Sequence, residues 1–201
     1  MNNTYTPEQQ KEMLVVAANS ISFGLENHRQ PDIDVHLYPA YMREQRATFV
    51  TLEIHGRLRG CIGSLIAYRP LVADVSSNAF SAAFNDPRFN PLSETEYDKL
   101  DVHISVLSPP QDIEFDSEQS LLDQITPGID GLIISDGSYR ATYLPSVWEA
   151  LPDKQLFLSE LKQKAGLGKN YWSNTLEAQK YTTFSFGDTI ENIQKNALGT
   201  V

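Results

Sequence analysis

The sequence predicts an α+β fold in which antiparallel sheet is flanked by helices. Three observations carry this prediction. Residues 47–54 and 57–65 alternate apolar and polar side chains on either side of a short turn, which is the pattern of a half-buried hairpin. A second hairpin is written at 131–135 and 139–143 around Asp136-Gly137. Helical spacing fills segments before, between and after these pairs, without the regular strand–helix alternation of a parallel sheet.

The first helix opens at Thr6-Pro7-Glu8-Gln9, with Thr6 as N-cap, Pro7 at the first helical position and Gln9 closing a capping box. Leu14, Ala17, Ala18, Ile21 and Leu25 then fall on one helical face, which predicts a helix to about Glu26. Residues 28–41 are polar, contain Pro31 and Pro39, and read as a loop. In the first hairpin the register can be argued from polarity. A two-residue turn at His55-Gly56 would set Leu52 opposite Arg59 and mix charged with apolar on one face. An odd loop with Gly56 left-handed instead groups Val50 and Leu52 with Leu58, Gly60 and Ile62. Arg57, Arg59 and Cys61 then share the other face with Phe49, Thr51 and Glu53.

Pro70 opens a second long helix, with Leu71, Val75, Ala79 and Ala82 on its buried side, ended by Pro87 and Pro91. Val102, Ile104 and Val106 alternate with His103, Ser105 and Leu107 as a third strand, stopped at Pro109-Pro110. A short helix is expected at 117–124 and helical turns at 145–151. A longer helix is expected over 153–165, closed by Gly166. The last strand is expected at 182–186, with a frayed tail after Gly187.

Composition bounds the function classes. A chain of 201 residues suits one large domain, or two small ones sharing a core. Sixteen basic against 26 acidic residues give a net charge of −10, which argues against a nucleic-acid-binding surface. The single cysteine cannot form an intramolecular disulfide, and the N-terminus lacks the pattern of a signal peptide. No apolar run is long enough to span a membrane. The chain therefore reads as cytoplasmic.

Function is sought first at Leu58-Arg59-Gly60-Cys61-Ile62-Gly63. Arg59 and Cys61 are two residues apart, so an extended strand presents both on one face, and Gly60 and Gly63 permit close approach of a ligand or another backbone. Cys61 reads either as a thiol activated by a neighbouring cation or as a packed core residue. If the strand of His103 lies beside it, Cys61 and His103 become a nucleophile and base. Arg59 reads either as a partner for Glu53 or another acid, or as a clamp for a carboxylate or phosphate. Asp86-Pro87-Arg88-Phe89 reads as a capped turn with a local ion pair, or as a source of a second anion contact through Arg88. His28, His36, His55 and His103 lack metal-ligand spacing, and no phosphate-binding glycine loop or serine-nucleophile elbow is present.

Taken in order, LRGCIGSL (58–65), AAFNDPRF (82–89), ISVLSP (104–109), GIDGLIISDG (128–137), YLPSVWEALPD (143–153) and LKQKAGL (161–167) with Tyr171-Trp172 resemble the AmmeMemoRadiSam system protein A family, the AMMECR-type domain. The resemblance implies one such domain over 1–201. A larger subdomain would be built from both chain ends, about 1–116 and 173–201, and a smaller α+β one inserted over about 117–172, with a cleft as the site. It implies a Memo-type protein and a radical S-adenosylmethionine enzyme as partners, and it brings no established reaction and no cofactor. Ser146 stands where the family pattern has glutamine, and the resemblance does not carry His103. Two functions remain in view: a non-catalytic binding or adaptor domain, and an enzyme acting on a small anionic substrate. The enzyme would use Arg59, Gly60, Gly63 and Arg88 for binding and Cys61 for chemistry.

Overall fold

In the computed structural model, which describes residues 5–198, the chain forms two compact units. One comprises Met1–Leu107 with Phe184–Val201, the other Ser108–Thr183. Both are α+β, with antiparallel sheets.

The first unit begins with helix α1, Pro7–Asn27, whose Thr6–Gln9 capping box forms as its sequence requires. His28 closes it in the left-handed conformation, and its amide donates to the Gly24 carbonyl. The expected loop of 28–41 contains a 3-10 turn at Val35–Leu37 and begins the short helix α2, Ala40–Arg43. Strands β1 (Thr48–Ile54) and β2 (Arg57–Gly63) make the first hairpin. Helix α3 (Leu71–Phe84), the short α4 (Glu94–Tyr97) and strand β3 (Leu100–Leu107) follow. The final strand β8 (Thr183–Thr189) is followed by helix α7 (Ile190–Leu198). The sheet order is β2-β1-β3-β8. Val50, Leu52, Val102, Ile104 and Val106 face a core shared with Ala17 and Ile21 of α1 and Val75, Ala79 and Ala82 of α3. Of the tail expected to fray after Gly187, residues 188–198 are instead ordered by burial of Ile190 and Ile193 in this core, and 199–201 lie outside the described residues.

The hairpin corrects one expectation and explains it. The turn has two residues, with His55 and Gly56 both at positive φ, 53° and 69°. Glu53 therefore opposes Leu58 and Ile54 opposes Arg57, which places Leu58 on the face of Glu53 and Arg57 on that of Ile54, the reverse of the facing expected for these two residues. The odd residue enters later as a bulge at Arg59, which has no partner on β1. Beyond it Leu52 opposes Gly60, Thr51 opposes Cys61 and Val50 opposes Ile62, the facing expected from polarity.

A buried polar knot holds the loop after β2. The carboxylate of Asp74 in α3 accepts hydrogen bonds from the Thr48 amide at 2.8 Å and its hydroxyl at 2.7 Å, and from Asn78, Ser64 and Arg69. Asp74 is 1% exposed, so this set of donors replaces its entire hydration.

The second unit contains β4 (Gln111–Ile113), α5 (Glu118–Asp123), β5 (Gly131–Asp136), β6 (Tyr139–Tyr143), a 3-10 turn at Pro145–Glu149, α6 (Lys154–Lys164) and β7 (Glu177–Tyr181). Its sheet order is β4-β7-β5-β6. The unit is wider than the segment of about 117–172 read from the sequence, because β4 and β7 pair with each other and β7 pairs with β5. Its core gathers Leu121, Leu132, Ile134, Phe157 and Leu161, with the Trp148 indole stacked on Phe157 and donating to the Asp130 carbonyl. Lys162 is fully buried and pairs with Glu118 beneath the Trp172 ring.

Candidate functional site

The LRGCIG strand is an edge strand, and an edge exposes unpaired backbone groups. Here the turn after α3 covers that edge. Asp86 Oδ2 accepts the Cys61 amide at 2.8 Å, and Arg88 Nη2 donates to the Cys61 carbonyl at 3.3 Å. The two side chains are bound to each other through Arg88 Nε–Asp86 Oδ1 at 2.9 Å and Arg88 Nη2–Asp86 Oδ2 at 2.7 Å. The Arg88 amide also donates to Asp86. Asp86 is buried, yet the Arg88 guanidinium first, and then the Cys61 and Arg88 amides, hold its carboxyl well below the usual carboxylate range. The same pair raises Arg88.

Arg59 is pinned in the same way. The bulge turns its guanidinium to α4, where Nε donates to Glu96 Oε1 at 2.8 Å and Nη2 to Glu96 Oε2 at 3.2 Å. Nη2 also reaches the Asn90 carbonyl at 3.0 Å. Glu96 accepts further bonds from the amide and hydroxyl of Ser93, the N-cap of α4. The Arg59 bond, with these from Ser93, pulls the Glu96 carboxyl down to about 2. The Phe89 ring has the Arg59 and Arg88 guanidinium carbons at 5.8 and 5.6 Å from its centroid. Arg59 Nη1 is buried without a hydrogen-bond partner.

The glycines serve packing. A methyl group on Gly60 would lie 2.0 Å from the Ala82 carbonyl oxygen, so β2 rests directly on the backbone of α3. One on Gly63 would meet the Phe49 ring at 2.3 Å and the Thr48 carbonyl at 2.6 Å.

Cys61 is half-buried, and its sulfur accepts the Thr51 hydroxyl at 3.1 Å. The expected pair with His103 does not form, because β3 pairs with β1 and not with β2. Thr51 opposes Cys61 on one side and His103 on the other, so two strand spacings, about 10 Å, separate thiol and imidazole. His103 instead has Nε2 3.9 Å from Glu53 Oε2, while Ser105 bonds to Ser185 of β8 at 2.8 Å. Cys61, Thr51, His103 and Ser105 do share the sheet face turned away from α3, as the alternation required.

Of the residues singled out in the sequence, Arg59, Cys61 and Arg88 are thus brought together, each already engaged, while His103 stands apart. Two participants escape sequence reading: Glu96 as the acid that binds Arg59, and Thr51 as donor to the thiol. The Ser93-x-x-Glu96 capping box was the available signal for α4. Among the described residues no three His, Cys, Asp or Glu side chains are grouped to hold a metal ion. Among the described residues no helix is long and apolar enough to cross a membrane.

Comparison with known proteins agrees with this architecture. A protein of Methanothermobacter thermautotrophicus is 42% identical over 149 residues, 72% of this chain and 73% of the relative. One from Sulfolobus acidocaldarius is 36% identical over 194 residues, covering 92% and 82%. The crystal structure of an uncharacterized protein from Pyrococcus horikoshii superposes with a TM-score of 0.77 at 33% identity, over 89% of this chain and 90% of that one. The AMMECR1 family model matches residues 14–186, a span holding both the strand of Cys61 and the turn of Asp86 that closes its edge, and the chain belongs to the AMMECR1 family.

Proposed function

We propose that this chain is the protein A component of an AmmeMemoRadiSam-type system, a cytoplasmic binding or adaptor domain without a catalytic step of its own. Its partners would be a Memo-type protein and a radical S-adenosylmethionine enzyme. One observation carries the non-catalytic reading: both arginines of the candidate site are already bound by carboxylates, Arg59 by Glu96 and Arg88 by Asp86. A site whose Arg59 and Arg88 are neutralised and whose Gly60 rests on the backbone of α3 reads as a packing junction. The net charge of −10 supports a protein partner over nucleic acid.

The test is calorimetric titration of the full chain with each purified partner, for wild type and Cys61→Ser. The reading expects saturable binding to at least one partner, with Kd unchanged within about twofold by the substitution. Absence of binding to both overturns it. Loss of binding in a Cys61→Ser protein with an unchanged melting temperature also overturns it. That loss would favour the second reading, an enzyme acting on a small anionic substrate through Arg59 and Cys61, for which the half-buried thiol beside the Thr51 hydroxyl is the supporting observation.

A further inference from the structure

The end of the first hairpin holds a cavity of ≈ 500 Å³ lined by Ile54, His55, Arg57, Leu58 and Arg59. It shares Arg59 with the site described above, while its other lining residues play no part in that reading. In a chain with ten more acidic than basic residues, this lining contains two arginines, a histidine and no carboxylate. The guanidinium of Arg59 is compensated by Glu96, whereas Arg57 is exposed and forms no ion pair among the described residues. Glu53 opposes Leu58 across the ladder, but its carboxylate lies 3.9 Å from His103.

We propose that this cavity binds a small aliphatic carboxylate. One uncompensated guanidinium matches one negative charge, and its planar fork suits the two oxygens of a carboxylate. Ile54 and Leu58 also line the cavity, and Leu58 is 42% exposed, a large apolar side chain left open to solvent. The two-residue turn shapes the tip, and the Arg59–Glu96 pair at the bulge holds the far wall. A phosphate dianion would find only one unpaired guanidinium, which is why the charge count favours the carboxylate.

The test is an NMR titration of the full-length, nitrogen-15-labelled chain with hexanoate, acetate and inorganic phosphate at matched ionic strength. Saturable shifts are expected in the backbone amides of 54–59, with hexanoate tighter than acetate by about tenfold through partial burial of its methylenes. Arg57→Gln should weaken hexanoate by about tenfold. Leu58→Ser should bring hexanoate and acetate within about threefold of each other. Both substitutions fall on exposed side chains at the hairpin end, so an otherwise unchanged amide spectrum verifies the fold. Shifts that fail to saturate by about 100 mM, or that survive Arg57→Gln unchanged, overturn the site. Phosphate binding more tightly than hexanoate overturns the assignment of ligand class.

Discussion

Replacing Gly60 with alanine gives the most direct test of how β2 is held. The added methyl carbon would lie 2.0 Å from the Ala82 carbonyl oxygen and 3.0 Å from its carbon, both backbone atoms of α3. Ordinary contact needs about 3.5 Å, so strand and helix must separate by about 1.5 Å, and neither element has a free side chain to yield. Overpacking of well-packed sites costs about 1–3 kcal/mol, and a clash with backbone belongs at the upper end, about 3 kcal/mol. With a urea m-value of about 2 kcal/mol/M, the unfolding midpoint falls by about 1.5 M. The probe matters, because Trp148 and Trp172 both belong to the second unit. Indole fluorescence therefore follows Ser108–Thr183, and far-ultraviolet circular dichroism must follow α1 and α3. Gly56→Ala is the matched control: nothing lies within 4 Å of its added carbon, and only its positive φ is strained, which costs about 1 kcal/mol. A Gly60→Ala midpoint no lower than that of Gly56→Ala would refute the close approach of β2 to α3.

Acid should loosen the same region. Glu96 has its folded pKa depressed from 4.5 to about 2, and Asp86 is depressed as well, so both stabilise the fold when ionised. Their contribution is complete above the unfolded-state values and is lost as pH falls through the folded ones. Discounted for partial exposure, the Glu96 share is about 1–2 kcal/mol, and Glu96→Gln should flatten stability between pH 4.5 and about 2 in urea melts at stepped pH. An unchanged pH slope in Glu96→Gln would show that the Arg59 pair contributes nothing. Asp74→Ala should cost about 3–4 kcal/mol, because it leaves the buried Thr48 amide and hydroxyl without their acceptor and Arg69 without its carboxylate; a loss under about 1 kcal/mol by urea melts would contradict the knot.

What was legible in the sequence follows from how local its causes are. The α1 capping box and the hairpin at Asp136-Gly137 depend on neighbours within a few residues, whereas the length of the turn at His55-Gly56 escapes sequence reading because the bulge at Arg59 restores the register further along. Strand β7, Glu-Ala-Gln-Lys-Tyr, carries little alternation and exists because β4 and β5 flank it, a pairing set by residues far away in sequence. Helix α7 owes its order to Ile190 and Ile193 entering a core that is otherwise assembled by residue 107. At the site the same division holds. The shared face of Cys61 and Thr51 follows from strand alternation, but the insertion of β1 between Cys61 and His103 is strand order, which a single sequence does not write down.

LRGCIG and NDPRF divide in the same way between local appearance and spatial role. Each string looks like chemistry when read alone: a cation beside a thiol, an acid beside a base. In space they form one fastening. The carboxylate of Asp86 takes the Cys61 amide, Arg88 takes its carbonyl, and Gly60 lets the strand touch the helix from which that turn descends. Changing any one of these residue types breaks a contact made by another, so the strings constrain each other through folding whether or not a reaction occurs there. A cation beside a thiol in the sequence is therefore no argument for catalysis in this chain while its polar atoms are engaged. Here Arg59 and Arg88 are held by carboxylates, and what stays unengaged is the Arg59 Nη1 group and the Cys61 sulfur, bonded by a single neutral hydroxyl.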